Sequence, residues 1–524
     1  MQANGIPESQ MRLWVSQTDV PITVRGQMRG WVEDWATWPV RWWPVEVHER
    51  AVSLGEPDAG DDLGVIAHRY RQAIGQVRLR WSPSLWPFTE DEPPPKAYLA
   101  DQSVAYHAIL SAVHTAQCQR TNADLLRDLA TITMPCERVH ARLGMVGIPW
   151  SHERGVALCR ELDDEILALR RTLDGHGISD PGDDVLVGVW LMLEGFGHLF
   201  PRGVDAELLR EYDSRHPAFH PLRRLRRLRD LRDQSWLLGQ QTGPGGSLHL
   251  HHRTLAAPTG RSTSVGPALG SVPKEYRVRI LTPDDPDLAY DDVDFSGFEL
   301  FVAAAVSGDA GLRACCQTGK PVAALAQRIF DELAAVPVLS IPDDHPERYA
   351  QAKAVSYGSL YGQQAQGLAN KLNISSRAAQ ILLDQLHEAC PRLRRQAQAA
   401  AQHGWRTGLL PIVNGLERHL QRADYIIPGR VDRLAANTRI QGAAASCFRA
   451  VTVCADAVIR RYGGEILLPL HDGIHYTAPR SAMPALVPEL RAAMQATFAR
   501  MFNTDLVPPV SSAWAKARGH VARP

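Results

Sequence analysis

The sequence predicts an α+β protein, and three observations carry that expectation. Residues 126 to 240 and 299 to 405 read as long helices, with apolar residues recurring every three or four positions. The segment "EILLPLHDGIHYTA" reads as two strands around a tight turn that holds His471 and Asp472. The run "YDDVDFSGFEL" reads as an apolar strand that ends at Asp294 and feeds a helix beginning near Glu299.

The chain has 524 residues, 45% hydrophobic and 22% charged, enough to bury a sizeable core spread over several subdomains. Lys+Arg and Asp+Glu both total 57, so bulk charge singles out no polyanionic partner, and affinity for nucleic acid has to come from local stripes of charge. Basic charge is nearly all arginine, since there are only six lysines. No apolar run reaches the roughly 20 residues of a membrane span. With Glu8 and Gln10 the N-terminus lacks a secretory apolar stretch, so a cytoplasmic setting is expected, nucleoid-associated or phage- or plasmid-encoded. Cys118, Cys136, Cys159, Cys315, Cys316, Cys390, Cys447 and Cys454 form no C-x-x-C pair and read as buried free thiols rather than structural zinc ligands.

Residues 1 to 125 differ in composition from the rest: Pro-rich near 83 to 95, acidic around Asp58 to Asp62, and carrying Trp31, Trp35, Trp38, Trp42 and Trp43. Pro39 and Pro44 interrupt the helical spacing of the tryptophans, which read as core packing ahead of a stacking platform for bases. Two long helices follow around a Gly-Ile-Pro turn, the second with Ser151 as its N-cap. In "LRRLRRLRDLRD", residues 222 to 233, Leu222, Leu225, Leu228 and Leu231 share one helical face, and Arg223, Arg224, Arg226, Arg227, Arg229 and Arg232 surround it. Those guanidiniums face water or phosphate. Residues 245 to 300 read as strand-like and turn-rich, with "TGRSTSVGPALGSVP" as an irregular loop.

Two acidic positions carry the chemistry. A carboxylate at a strand end beside one at a hairpin tip suits two-metal phosphoryl transfer, which needs ions roughly 3.5–4 Å apart on rigid neighbouring strands. Taken singly, Asp294 and Asp472 are ordinary turn formers. In "RYAQAKAVSYGSLYGQQ", Lys353, Tyr357 and Tyr361 recur every four residues on one helical face before Gly362 ends the helix. A triphosphate needs a cation, and a templated base pair needs an aromatic platform.

The order "TGR", "DFSGFEL", "K-x3-Y-G-x2-YG", "NTRIQG" and "HD" resembles family A DNA polymerases, the group of bacterial DNA polymerase I, from about residue 126 to the C-terminus. The resemblance implies a right-hand fold, with a helical thumb (126–245) and fingers (313–425) around an antiparallel-sheet palm (246–312 and 426–524). Residues 1–125 stand at the place of the family's 3′-5′ exonuclease, without an Asp-x-Glu or Tyr-x-x-x-Asp element, so this domain is expected to be inactive. The implied activity is DNA-directed DNA polymerisation on primer-template DNA with deoxynucleoside triphosphates, by a monomer using two Mg²⁺ ions, or Mn²⁺. The resemblance makes Asp294, Asp472 and the carbonyl of Phe295 metal ligands. Lys353, helped by Arg348, would hold the triphosphate, and Tyr357 and Tyr361 would flank the nascent pair. Glu299 would be the gate against ribose. Arg261, Arg433, Asn437, Gln441 and His471 would touch the primer-template, and Arg223, Arg226 and Arg227 would hold phosphates from the thumb.

This sequence departs from the family at several of these positions. Gly473 follows Asp472 where the family has glutamate. Tyr349 replaces the arginine four residues before Lys353, with Arg348 displaced by about 100° around the helix. Ala323 replaces the histidine of the preceding fingers helix, and Gly297 and Phe301 replace glutamine and arginine. These losses keep a second reading open, a catalytically silent relative that binds primer-template. A single-subunit RNA polymerase is a third reading, against which Glu299 and the "TGR" loop argue.

Overall fold

The structure is a computed structural model that describes residues 22–24, 42–54, 116–119, 121–199, 209, 213, 215–239, 242–243 and 246–517. Trp31, Trp35 and Trp38, the acidic and Pro-rich stretches and most of the expected exonuclease-like segment lie outside these residues, as do the side chains of Trp42 and Trp43.

Helix α1 (Met134–Val146) is followed by Gly147 with φ 71°, a short strand at Ile148–Pro149, and α2 (His152–Asp174), whose first turn is capped by Ser151 accepting from the Arg154 N–H. Helix α3 (Asp184–Leu193) and α4 (Phe219–Arg232) complete this arm. The leucine edge of α4 is buried, as its spacing required: Leu222, Leu225 and Leu228 are 0% exposed. The turn-rich stretch after it contains an unforeseen helix, α5 (Lys274–Leu281), which buries Tyr276, Ile280 and Leu281. Strand β1 (Leu288–Phe295) and α6 (Phe298–Ser307) follow. Next come α7 (Ala310–Gln317), α8 (Pro321–Ile329), α9 (Pro346–Leu360), α10 (Ala365–Leu372), α11 (Ser376–Ala389) and α12 (Pro391–Thr407). The 32-residue α13 (Arg430–Arg461), β2 (Glu465–Leu470), β3 (Gly473–Pro479), α14 (Met483–Phe502) and β4 (Val510–Ser512) end the described chain apart from one short helix.

The four strands form one antiparallel sheet in the order β2-β3-β1-β4. Along β1, Ala289, Asp291, Val293 and Phe295 turn to one face and Tyr290, Asp292 and Asp294 to the other. The first face joins a core shared by α6, α8, α9, α13 and α14, so the expected border between palm and fingers near residue 312 crosses continuous packing. A second cluster joins α2 to α5 and to Leu467 and Leu468 of β2, seating the base of the helical arm on the sheet's edge. By length and composition α13 could cross a membrane, but 72% of its most apolar window is buried. Its Ala-rich middle makes it a core helix. Six of the eight cysteines are buried and all eight are free thiols.

Candidate active site and nucleic-acid interface

The β2–β3 hairpin closes with Leu470 opposite Gly473, so His471 and Asp472 form a two-residue turn. His471 adopts φ 58°, a left-handed conformation that costs a non-glycine residue strain and makes the turn sharp enough to aim Asp472 back over the sheet. Gly473 also pairs with Asp294 on β1, which brings the two predicted carboxylates to the same end of neighbouring strands. Neither has an ion-pair partner among the described residues. Burial, then the charge of Asp292, pushes the Asp294 carboxyl above the ordinary range. Burial, then Asp294, does the same to Asp472. Phe295 ends β1, its ring stacked on Phe298 at 4.7 Å between centroids.

A dication suits this donor set: two half-buried carboxylates whose proton affinity is raised by burial and a neighbouring acid recover that energy when a divalent ion takes the protons' place. Among the described residues no group of three or more His, Cys, Asp or Glu side chains is placed to hold an ion unaided. Ions here would share their ligands with substrate.

Glu299, in the first turn of α6, is buried and bridges two predicted residues. It accepts from Arg261 at 2.7 Å and from the Tyr361 hydroxyl. Burial, then this hydrogen bond, raises the Tyr361 phenol. Tyr357 lies beside Tyr361, centroids 6.4 Å apart, its phenol pushed up to about 12 by burial and then by Glu299 and Asp472. Arg261 therefore reaches Glu299, the residue expected to act as gate, rather than standing free in its loop. The loop is pinned by buried Arg449, which donates to the Gly260 carbonyl at 2.6 Å. Sequence reasoning passed over Arg449, whose place on an apolar helix stretch was the available signal.

Lys353 is exposed on α9, one turn before Tyr357. Arg348 is engaged elsewhere: it pairs with Glu332 at 2.6 Å, donates to Gln351 at 3.0 Å and lies over the Phe330 ring. Tyr349 packs against the core, Ala323 is 0% exposed, and Phe301 is buried against Phe498. Gly362, with φ 69°, brings the end of α9 onto α13; a Cβ there would stand 2.7 Å from the Arg433 Cα. Arg433, Asn437 and Gln441 lie on α13 as their spacing predicted. Arg433 donates to the Pro428 carbonyl at 3.3 Å.

The basic helix α4 differs most from expectation. Arg223 pairs with Asp213 at 2.5 Å, Arg226 with Asp184 at 2.7 Å, and Arg227 donates to the Ser271 carbonyl at 2.8 Å. Arg224 bridges Glu165 and Glu275, and Arg232 pairs with Asp163. The acids that take up these charges lie from 10 to 69 residues away in sequence, outside the repeat, which is why the Leu-Arg repeat by itself read as open to phosphate.

A small antiparallel sheet carrying two acids at one end, beneath one helix with an exposed lysine and two tyrosines and another bearing a polar stripe, is the architecture of a right-hand nucleic-acid polymerase. The family model described as DNA polymerase family A matches residues 201–515, and this chain belongs to that family. It is 32% identical over 276 residues to DNA polymerase I of Chloroflexus aurantiacus, covering 51% of this chain and 28% of that protein. It is 25% identical over 444 residues to the thermostable DNA polymerase I of Thermus thermophilus, covering 80% of this chain and 52% of that one. The chain thus spans about half the length of that relative, and less of the first. In fold it matches the POL domain of Pol1 from M. smegmatis in complex with DNA primer-template and dNTP, with a TM-score of 0.74 at 22% identity over 96% of this chain and 87% of that one.

Proposed function

We propose that this protein is a DNA-directed DNA polymerase, adding deoxynucleoside triphosphates to a primer 3′ end with two Mg²⁺ ions held by Asp294, Asp472 and the Phe295 carbonyl. The observation that carries the reading is the convergence of Asp294 and Asp472, from neighbouring strands, with the proton affinity of both raised by burial and a neighbouring acid. Magnesium bound there would activate the primer hydroxyl and neutralise the triphosphate. On this reading Lys353 steers the phosphates, Tyr357 supports the new base pair, Tyr361 stands at the templating position, and Glu299 leaves a ribose 2′-hydroxyl neither space nor partner. Arg261, His471, Arg433, Asn437 and Gln441 follow the minor groove and primer end, where acceptors are nearly alike for all correct pairs. The protein acts as a monomer in the cytoplasm, and residues 1–125 supply no proofreading.

The second reading, a silent relative that holds primer-template, draws on the engaged Arg348, the buried Ala323 and the missing carboxylate at Gly473. Without a charge-assisted hydrogen bond to phosphate, nucleotide binding weakens by about 1.5–3 kcal/mol. Primer extension with Mg²⁺ and with Mn²⁺ tests the two. Template-directed incorporation that disappears in Asp472→Asn supports the polymerase; tight duplex binding with no incorporation under either metal supports the silent relative.

A further inference from the structure

The open face of β1 carries a third carboxylate. Asp292 lies two residues before Asp294, so both point to the same side of the sheet. In the register of β3 against β1, Asp294 stands opposite Gly473 and Asp292 opposite His475, so a side chain at position 473 would rise from that same face. A Cβ built on Gly473 meets Asp294 Oδ1 at 3.2 Å and the Val293 carbonyl at 3.3 Å, both tight, and touches Asp292 Oδ1 at an ordinary 3.5 Å.

Asp292 is only 8% exposed, yet its compensation is thin. Lys274 Nζ lies 3.2 Å away on a side chain that is 68% exposed. His475 Nδ1 stands at 3.7 Å, too far for a good hydrogen bond, and is already engaged at 2.7 Å with the Tyr290 hydroxyl. A carboxylate taken this far out of water beside another acid is costly unless a cation repays it. Asp291, one residue earlier on the opposite face, shows what a structural aspartate looks like in the same strand. It accepts from the Tyr476 hydroxyl, the Ser512 hydroxyl and the Trp514 N–H, at 3.0, 2.8 and 2.8 Å.

Resting on the polymerase reading above, we propose that Asp292 supplies from β1 the acidic group that position 473 of β3 lacks, from a place within contact distance of where that side chain would begin. Asp292 is a positioning residue. It stands beside Asp294 and adds to the field that draws and seats the ions, with Lys274 as its counter-charge while they are away.

Binding of Mn²⁺ to the purified full chain, followed by the electron spin resonance of the free ion, tests this without any turnover. The variants are Asp292→Asn, Gly473→Glu, the double Asp292→Ala/Gly473→Glu, and Asp472→Asn as the reference. Groups that support a metal's ligands are typically worth 10–100-fold in affinity, so Asp292→Asn should weaken Mn²⁺ about tenfold. The double variant, which moves the carboxylate to the opposite strand, should return to within about threefold of wild type. Asp292→Asn within twofold of wild type, while Asp472→Asn still loses the ion, would overturn the assignment of Asp292 and leave the polymerase reading standing. A double variant as weak as Asp292→Asn, with an unchanged melting temperature, would overturn it as well. Wild-type affinity in Asp472→Asn would remove the metal site itself, and this inference with it.

Discussion

Helix α4 and the sheet end carrying Asp294 and Asp472 are both charged, and the structure treats their charges in opposite ways. On α4, Arg223, Arg224, Arg226 and Arg232 each meet an acid, and the helix knits the arm together. At the sheet end, Asp294 and Asp472 form no ion pair among the described residues, and both hold protons more tightly than ordinary aspartates. Charge that is matched within the fold serves the fold. Charge left uncompensated at a half-buried site is stored for a ligand.

The largest test of that contrast removes the stored charge. Asp294→Asn and Asp472→Asn should each cut incorporation by about a thousandfold or more, while primer-template affinity, measured by fluorescence anisotropy, stays within about threefold of wild type. Retention of more than about a tenth of activity in both variants would mean the pair is not the metal site.

Glu299 sharpens the comparison, because it is a buried acid that does have partners. If Arg261 and Tyr361 hold it against the sugar edge, Glu299→Ala should raise ribonucleotide over deoxyribonucleotide incorporation by about 10³-fold or more. Single-turnover rates with matched dNTP and rNTP read this ratio. An unchanged ratio would leave Glu299 only a favourable charge at the N-terminus of α6.

The arginines of α4 offer the direct way to break the contrast. With Arg223 and Arg226 committed to Asp213 and Asp184, Arg223→Gln/Arg226→Gln should change duplex affinity by less than about threefold, lower stability by about 1 kcal/mol, and leave the salt dependence of binding unaltered. A salt slope reduced by about one per arginine would show that these side chains exchange their acids for phosphates when DNA arrives.

The smallest expected effect is on stability and pH. Because folding raises the proton affinity of Asp294 and Asp472, the folded state binds more protons than the unfolded one between the ordinary aspartate value and the raised ones. Stability falls as pH rises through that interval. Asp472→Asn should therefore melt about 1–3 °C higher than wild type at pH 8 without metal, and the gain should vanish as pH falls towards about 4. A lower melting temperature for the variant at pH 8 would show that the carboxylate stabilises the fold instead.

Much of this was legible along the chain, for local reasons. The Gly-Ile-Pro turn, the Ser151 cap, the leucine edge of α4, the hairpin at His471–Asp472 and the four-residue rhythm of Lys353, Tyr357 and Tyr361 are set by neighbours a few residues apart, where periodicity and turn chemistry act. Helix α5 escaped that reading because its short run "KEYRVRIL" gains its burial from α2 and β2, distant in sequence. The same limit applied to charge. That Arg348 turns to Glu332, that Arg261 holds Glu299, that Arg224 and Arg232 of α4 find acids on α2 and α5, and that Asp292 comes beside Gly473 all depend on through-space distances that local pattern does not carry. The sequence by itself determined most of the helices and strands, α5 apart, and which acids, lysine and tyrosines they carry. Only the tertiary structure decided which charges are neutralised and which are left for a ligand, because Coulomb energy and desolvation depend on distance and burial rather than on order along the chain.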